Sequence, residues 1–233
     1  MNDHIVTCRN LCKDYGGVRA LDQVNLTLGS GRIVGLLGPN GSGKTTLLKI
    51  ANGLLTPSAG EILLDGHWPG KESKAVVSYL PDASYLPDWM NIDSLVGMFA
   101  DFYRDFDEKK AREMIVNLGL LESSRLKTLS KGNKEKIQLI LAMSRKAKIY
   151  FLDEPIGGVD PAARDYILST IIQNYSEDAL VMLSTHLIAD IERVLDEVVF
   201  LNQGRVVCHR EVDEIRETEG KSVDELFREV FRC

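Results

Sequence analysis

The sequence predicts an α/β fold with a parallel sheet covered on both faces, an N-terminal group of antiparallel strands and a helical insert. Three observations carry this expectation. In the last third of the chain, short apolar runs alternate with helical stretches, the pattern of strand–helix–strand units. The first third is mainly strand-like and is interrupted by glycine-rich turns. Between them, from about Asn91 to Lys146, apolar residues recur with the period of helices.

In chain order, strands are expected over residues 5–11, 18–28, 33–37, 61–64 and 75–80, with turns at Gly16-Gly17, Gly29-Ser30-Gly31 and Asp65-Gly66. Residues 93–103 place apolar side chains at i, i+3 and i+4, and residues 107–118 and 134–143 do likewise, predicting three helices. Continuous apolar runs at 149–152, 179–183 and 198–201 predict buried strands, separated by helices over 162–175 and 187–195. Asn202-Gln203-Gly204 predicts a hairpin turn into a strand over 205–208. An acidic helix over about 223–231 is expected to close the chain.

A chain of 233 residues that is 44% hydrophobic can bury one substantial core. Its net charge of −6 argues against a dedicated nucleic-acid binder, which carries a basic footprint. No apolar run reaches the roughly 18 residues that span a bilayer, and Met1-Asn2-Asp3-His4 lacks the basic start of a secretion signal. A soluble, intracellular chain is therefore expected. Its cysteines, Cys8, Cys12, Cys208 and Cys233, are expected to be reduced thiols, because no second Cys/His pair completes a metal site around Cys8 and Cys12. His4, His67 and His209 are expected to be ordinary surface residues.

The most specific feature is Gly38-Pro39-Asn40-Gly41-Ser42-Gly43-Lys44-Thr45, which fits G-x-x-x-x-G-K-[ST] between an apolar strand and a helix beginning near Thr46. The glycines let backbone N–H groups turn toward phosphate oxygens, and the helix adds its positive end. Lys44 is expected to reach the β- and γ-phosphates, and the Thr45 hydroxyl to ligate Mg²⁺. Residues 149–152 then run into Asp153-Glu154, two carboxylates at a strand end that faces the phosphate crevice of a parallel sheet. Asp153 is expected to hold Mg²⁺ through water, and Glu154 to orient or deprotonate an attacking water. His186, at the end of Leu183-Ser184-Thr185-His186, is placed to contact the γ-phosphate and that water.

Taken together and in this order, the residues resemble the ATP-binding cassette (ABC) ATPases, and the resemblance covers essentially the whole chain. Leu129-Ser130-Lys131-Gly132-Asn133 looks like the family signature LSGGQ, about 20 residues before the acidic strand, and Gly157-Gly158-Val159-Asp160 looks like the D-loop. Tyr15 stands where the family stacks an aromatic ring on adenine, and residues 76–81 lead to the place of the Q-loop. A GTPase is disfavoured, since Asn133-Lys134-Glu135-Lys136 lacks the aspartate that reads guanine. The resemblance implies a P-loop NTPase (RecA-like) core and a single ABC ATPase domain. Residues 1–81 and 147–210 would form the β subdomain and core, about 82–146 the helical subdomain and about 211–233 a C-terminal helix.

It further implies head-to-tail dimers with ATP between them, so that Ser130, Gly132 and Asp160 act in trans on a second copy's nucleotide. Ser130 and Gly132 are expected to precede the 134–143 helix and aim its positive end at the γ-phosphate. The partners would be a second ABC ATPase subunit, identical or not, and an integral membrane permease, with no nucleic acid. The chain would then sit on the cytoplasmic face of the cell membrane through that permease. Lys131 replaces the usual signature glycine and Asn133 the usual glutamine, and Asp82 replaces the usual Q-loop glutamine. Asp82 either takes over as a Mg²⁺ oxygen ligand or lies outside the site.

Between Arg125 and Lys148 eight Lys/Arg stand against one acid, Glu135, either as a solvated face or as an attraction for the other copy's nucleotide or anionic lipid. Trp89 and Met90 fall where the family docks its membrane partner, or else belong to the helical core. The signature variant, the acidic Q-loop and the lack of a long C-terminal regulatory domain lean toward a compact exporter cassette. The alternatives are a soluble ABC ATPase acting on DNA or ribosomes, and a regulatory cassette with weak hydrolysis.

Overall fold

A computed structural model describes residues 4–231. Its strands are β1 (His4–Tyr15), β2 (Val18–Gly29), β3 (Arg32–Leu37), β4 (Ala59–Leu64), β5 (Val77–Leu80), β6 (Ile149–Asp153), β7 (Leu180–Thr185), β8 (Glu197–Asn202) and β9 (Arg205–Glu211). Its helices are α1 (Lys44–Ala51), α2 (Lys71–Lys74), α3 (Ile92–Phe102), α4 (Glu108–Asn117), α5 (Lys131–Met143), α6 (Pro161–Asn174), α7 (Ile188–Ile191), α8 (Val212–Glu219) and α9 (Val223–Val230).

The central sheet runs β5-β6-β7-β3-β8-β9, parallel throughout except where β9 folds back antiparallel on β8. A smaller antiparallel sheet runs β2-β1-β4. The apolar runs that read as continuous in sequence split by parity in space. Val34, Leu36, Phe151, Met182 and Val199 face α1 and the small sheet, in one core with Leu47, Leu48, Val6, Leu26 and Ile62. Ile33, Leu37, Tyr150, Leu152, Val181, Leu183 and Phe200 face the other way, onto α5, α6, α7 and α9. Burial on both faces is why no polar residue interrupts these strands.

A third core joins α3, α4 and α5 through Leu95, Val96, Phe99, Ala111, Ile115, Ile137 and Ile140. Helix α5 serves two cores at once, because Leu139, Ala142 and Met143 belong to the sheet-facing one. Lys110 of α4 ties this arrangement together: its ammonium donates to Met143 O at 2.9 Å and Asn174 O at 2.8 Å, the carbonyl ends of α5 and α6. Burial pulls its pKa down, against a raising contribution from Asp107. Lys110→Met is expected to destabilise the fold by about 1–3 kcal/mol, since both carbonyls lose a charged donor. Urea midpoints of the two chains check this, and an unchanged midpoint would contradict it.

Several boundaries differ from expectation. The 75–80 strand shortens to β5, because α2 and its capping turn take the preceding residues. The 187–195 helix is only α7 followed by a 3-10 turn over Glu192–Val194. The 205–208 strand extends to Glu211, and the hairpin turn before it places Gln203 at φ 46° and Gly204 at φ 77°. The single C-terminal helix is two helices: α8 stops at Gly220, left-handed at φ 64°, and α9 restarts behind the Ser222 capping box.

Cys8 and Cys12 are buried and unbridged, and burial pushes the Cys8 thiol up to about 12. Cys233 and Met1–Asp3 lie outside the described residues. Among the described residues no cluster of His, Cys, Asp and Glu forms a metal-binding group of three. No helix among them is long and apolar enough to cross a membrane. His209 is more than a surface residue, since its Nε2 lies 2.9 Å from Glu197 Oε2 and holds that carboxyl below its usual range.

Candidate active site

Strand β3 delivers the chain at Leu37 into the loop Gly38–Gly43, from which α1 departs. Two of its glycines are required by close approach. A Cβ on Gly38 would lie 2.3 Å from Leu201 O, and one on Gly43, at φ 110°, 2.5 Å from Ala20 O. The loop is therefore pressed against β8 and the start of β2, with Pro39 and Asn40 exposed at its tip and Gly41 left-handed at φ 81°. The Gly204 N–H of the β8–β9 hairpin donates to Ser42 O at 2.9 Å and braces it from below. Helix α1 has no side-chain cap, so its first N–H groups, up to the half-buried Thr46, remain free for an anion.

Lys44 is folded back into the loop. Its side chain is 6% exposed, and its ammonium donates to Gly38 O at 2.8 Å and Pro39 O at 3.3 Å and lies 3.9 Å from Glu154 Oε1. Burial lowers its pKa, and Glu154 and Asp153 pull it back up.

Asp153 ends β6 beside this loop. Its Oδ1 accepts hydrogen bonds from Ser184 Oγ at 2.5 Å and Thr45 Oγ1 at 3.2 Å, while Oδ2 is buried with no partner. Burial raises its pKa, opposed by those two hydroxyls and reinforced by Asp82 and Glu154. A buried carboxylate with a spare oxygen beside a threonine hydroxyl is a hard-oxygen donor set that fits Mg²⁺, an ion that keeps waters and substrate phosphates as its remaining ligands. Ser184 had drawn no role of its own from the sequence. The register signal for it lies in the pairing of β6 with β7, which sets Asp153 against Ser184.

Glu154 is left-handed at φ 49°, a costly conformation for a residue with a Cβ. It is held there by its N–H, which donates to Ser184 O at 3.0 Å and to Ser184 Oγ at 3.1 Å. The turn brings its carboxylate to 3.1 Å from His186 Nδ1, next to Lys44. Lys44, Thr45, Asp153, Glu154 and His186 thus converge at one sheet edge. Asp82, at the end of β5, lines the same crevice as Asp153 and Glu154, together with Lys131, Glu135 and Gln138 of α5.

The remaining candidates stand apart from this cluster. Ser130 caps α5, accepting from Asn133 N at 3.3 Å, and Asp160 caps α6, accepting from Ala163 N at 3.0 Å. Helix α5 starts at Lys131 rather than 134, so Gly132 sits in its first turn instead of ahead of it. The Ser130 cap makes that earlier start possible. Tyr15 ends β1, 44% exposed, with Lys13 Nζ 5.2 Å from its ring centre. Most of the basic stretch is locally partnered: Lys131 with Glu135, Lys134 with Asp88, Arg145 with Asp105, Lys146 with Asp107 and Lys148 with Asp65, while Lys136 lies over Tyr166. Trp89 and Met90 divide, with Trp89 76% exposed and Met90 in the helical core.

A family model described as "ABC transporter" matches residues 21–157. The ABC transporter ATP-binding protein YtrB of Bacillus subtilis (strain 168) is 31% identical over 216 residues, covering 91% of this chain and 74% of that protein. The lantibiotic transport ATP-binding protein SrtF of Streptococcus pyogenes is 27% identical over 223 residues and covers 94% of each chain. Among solved structures, an ATP-binding subunit of an ABC transporter superposes with a TM-score of 0.88 at 28% identity, covering 98% of this chain and 100% of that one.

Proposed function

Since this chain belongs to the ABC transporter family of ATP-binding subunits and is an ATPase of the P-loop fold, we propose that it powers export through a separate membrane permease. Two cassettes would close around ATP and reopen after hydrolysis. The observation that carries the hydrolytic part is the spare buried oxygen of Asp153, set beside Thr45 and within one crevice of Glu154.

In this reading the N–H groups of Gly41 and of Gly43 to Thr46 cradle the phosphates, while the Ser42 N–H donates to Pro39 O at 3.1 Å and, with Gly38 and Asn40, shapes the turn that presents them. Lys44 exchanges its two carbonyl partners for β- and γ-phosphate oxygens. Thr45 and Asp153 would hold Mg²⁺, which neutralises phosphate charge when bound. Glu154 orients and deprotonates the attacking water, and His186 fixes the Glu154 carboxylate and reaches toward the γ-phosphate. Tyr15 offers its face to adenine.

Ser130, Gly132 and Asp160 of a second copy complete the site. The positive end of α5 then meets the γ-phosphate of the neighbouring chain. Loss of that anion on hydrolysis removes what holds the pair together. A transport role is supported by the lantibiotic-transport relative, which matches over 94% of each chain. Docking to a permease is supported by exposed Trp89 at the border of the helical subdomain.

The purified chain is expected to release phosphate from ATP only with Mg²⁺, and a polytopic membrane protein is expected to co-purify with it from native membranes. Magnesium-independent release would contradict the site. Recovery of the chain without any membrane protein, from membranes solubilised gently enough to preserve complexes, would contradict the transport role.

A further inference from the structure

The crevice between α5 and the ends of β5 and β6 is crowded with negative charge. Asp82, Asp153 and Glu154 line it from the sheet side and Glu135 from the helix; Lys131 is the one cation of its lining, with Lys44 behind it, 3.9 Å from Glu154 Oε1. Asp82 is exposed and forms no side-chain hydrogen bond or ion pair among the described residues. A triphosphate on the neighbouring phosphate loop adds further negative charge beside this crevice, so an unpaired Asp82 opposes both substrate and the transition state.

Lys131 is free to answer that charge. Its side chain is 83% exposed, and its ammonium is 3.6 Å from Glu135 Oε1, an i,i+4 surface pair that costs little to break. It also overhangs the turn after Glu154, 3.9 Å from where a Cβ on Gly158 would stand.

We propose that Lys131 is the counter-charge of Asp82 within the same chain: its ammonium leaves Glu135 and pairs with Asp82 across the crevice. It is a positioning residue, acting through Asp82 rather than on ATP. The inference rests on the reading of this crevice as the hydrolytic site. It also accounts for two departures from the family pattern as one compensated change, a lysine in the signature matched to an aspartate across the crevice.

The test is a double-mutant cycle in steady-state ATP hydrolysis, with kcat and KM measured for wild type, Lys131→Gly, Asp82→Gln and the double variant. Lys131→Gly is expected to lower kcat about tenfold, with KM shifted less than about twofold. Lys131→Arg is expected to keep wild-type kcat, because the charge is what matters. In the Asp82→Gln background, adding Lys131→Gly is expected to change kcat less than about twofold.

An unchanged kcat for Lys131→Gly would overturn the inference. So would an equal loss in both backgrounds, especially with a raised KM, which would assign Lys131 to a second copy's nucleotide. An Asp82→Gln chain too slow to assay would overturn it too, since the aspartate charge would then be needed rather than offset. If the wild-type chain itself releases no phosphate, the hydrolytic reading fails and this inference falls with it. Wild-type turnover with additive variants defeats the inference alone.

Discussion

Lys44→Ala is expected to lower phosphate release by at least about 10²-fold, the loss seen when a preorganised donor to a developing oxyanion is removed. The structure shows why no neighbour substitutes for it. Lys44 is the cation buried in the loop, its ammonium held over the cradle by the Gly38 and Pro39 carbonyls within 3.3 Å. Those carbonyls act as a parking place: an amine already largely desolvated and already aimed across the loop loses little on moving to phosphate oxygens. Arginine in its place would be too broad for a pocket sized to one ammonium, so Lys44→Arg is expected to fail as well. Phosphate release and binding of a fluorescent ATP analogue, with circular dichroism as the folding control, measure this. A folded Lys44→Ala chain that retains wild-type turnover would remove the loop from the mechanism.

Glu154→Gln is expected to slow hydrolysis by about 10²–10⁴-fold while leaving ATP binding intact, the range for loss of a general base. The amide keeps the volume of the side chain, and the strained backbone at Glu154 is pinned by Ser184 through main-chain contacts that the substitution does not touch. His186 Nδ1 can still meet an amide oxygen where it now meets the carboxylate. What disappears is the ability to take a proton from water. Single-turnover hydrolysis compared with nucleotide affinity separates the two effects. Weakened binding with unchanged turnover of bound ATP would show that Glu154 holds nucleotide rather than activating water.

Much of this site was legible because its chemistry lies in short contiguous segments. Gly38–Thr45 carries its own strand, turn and helix start, and Asp153-Glu154 ends an apolar run whose length already implied a buried strand. What stayed hidden depends on pairing across the chain. Ser184 reaches Asp153 only because β6 and β7 are adjacent and in one register. The left-handed Glu154 needs the same neighbour. Lys110 caps two helix ends, 33 and 64 residues away in sequence, which no local pattern announces.

The division of the C-terminal helix into α8 and α9 is hard to read from sequence because α8 buries only Val212 and Ile215, too few apolar positions to show a period. The start of α5 is hard to place for a related reason: Gly132 and Asn133 are poor helix residues, and the Ser130 cap outweighs them. Lys131 and Asp82 were each visible as oddities, but their shared crevice appears only once α5 is packed against the ends of β5 and β6.

The central claim is that ATP is held between two copies, the phosphate loop of one meeting the Ser130 helix end of the other. Light scattering of the Glu154→Gln chain with saturating Mg²⁺-ATP tests it most directly. The expected result is a doubling of the 26.0 kDa mass that reverses when ATP is replaced by ADP and is lost when Ser130→Glu sets a negative charge against the γ-phosphate. A mass that stays at one chain with ATP fully bound would contradict the shared site.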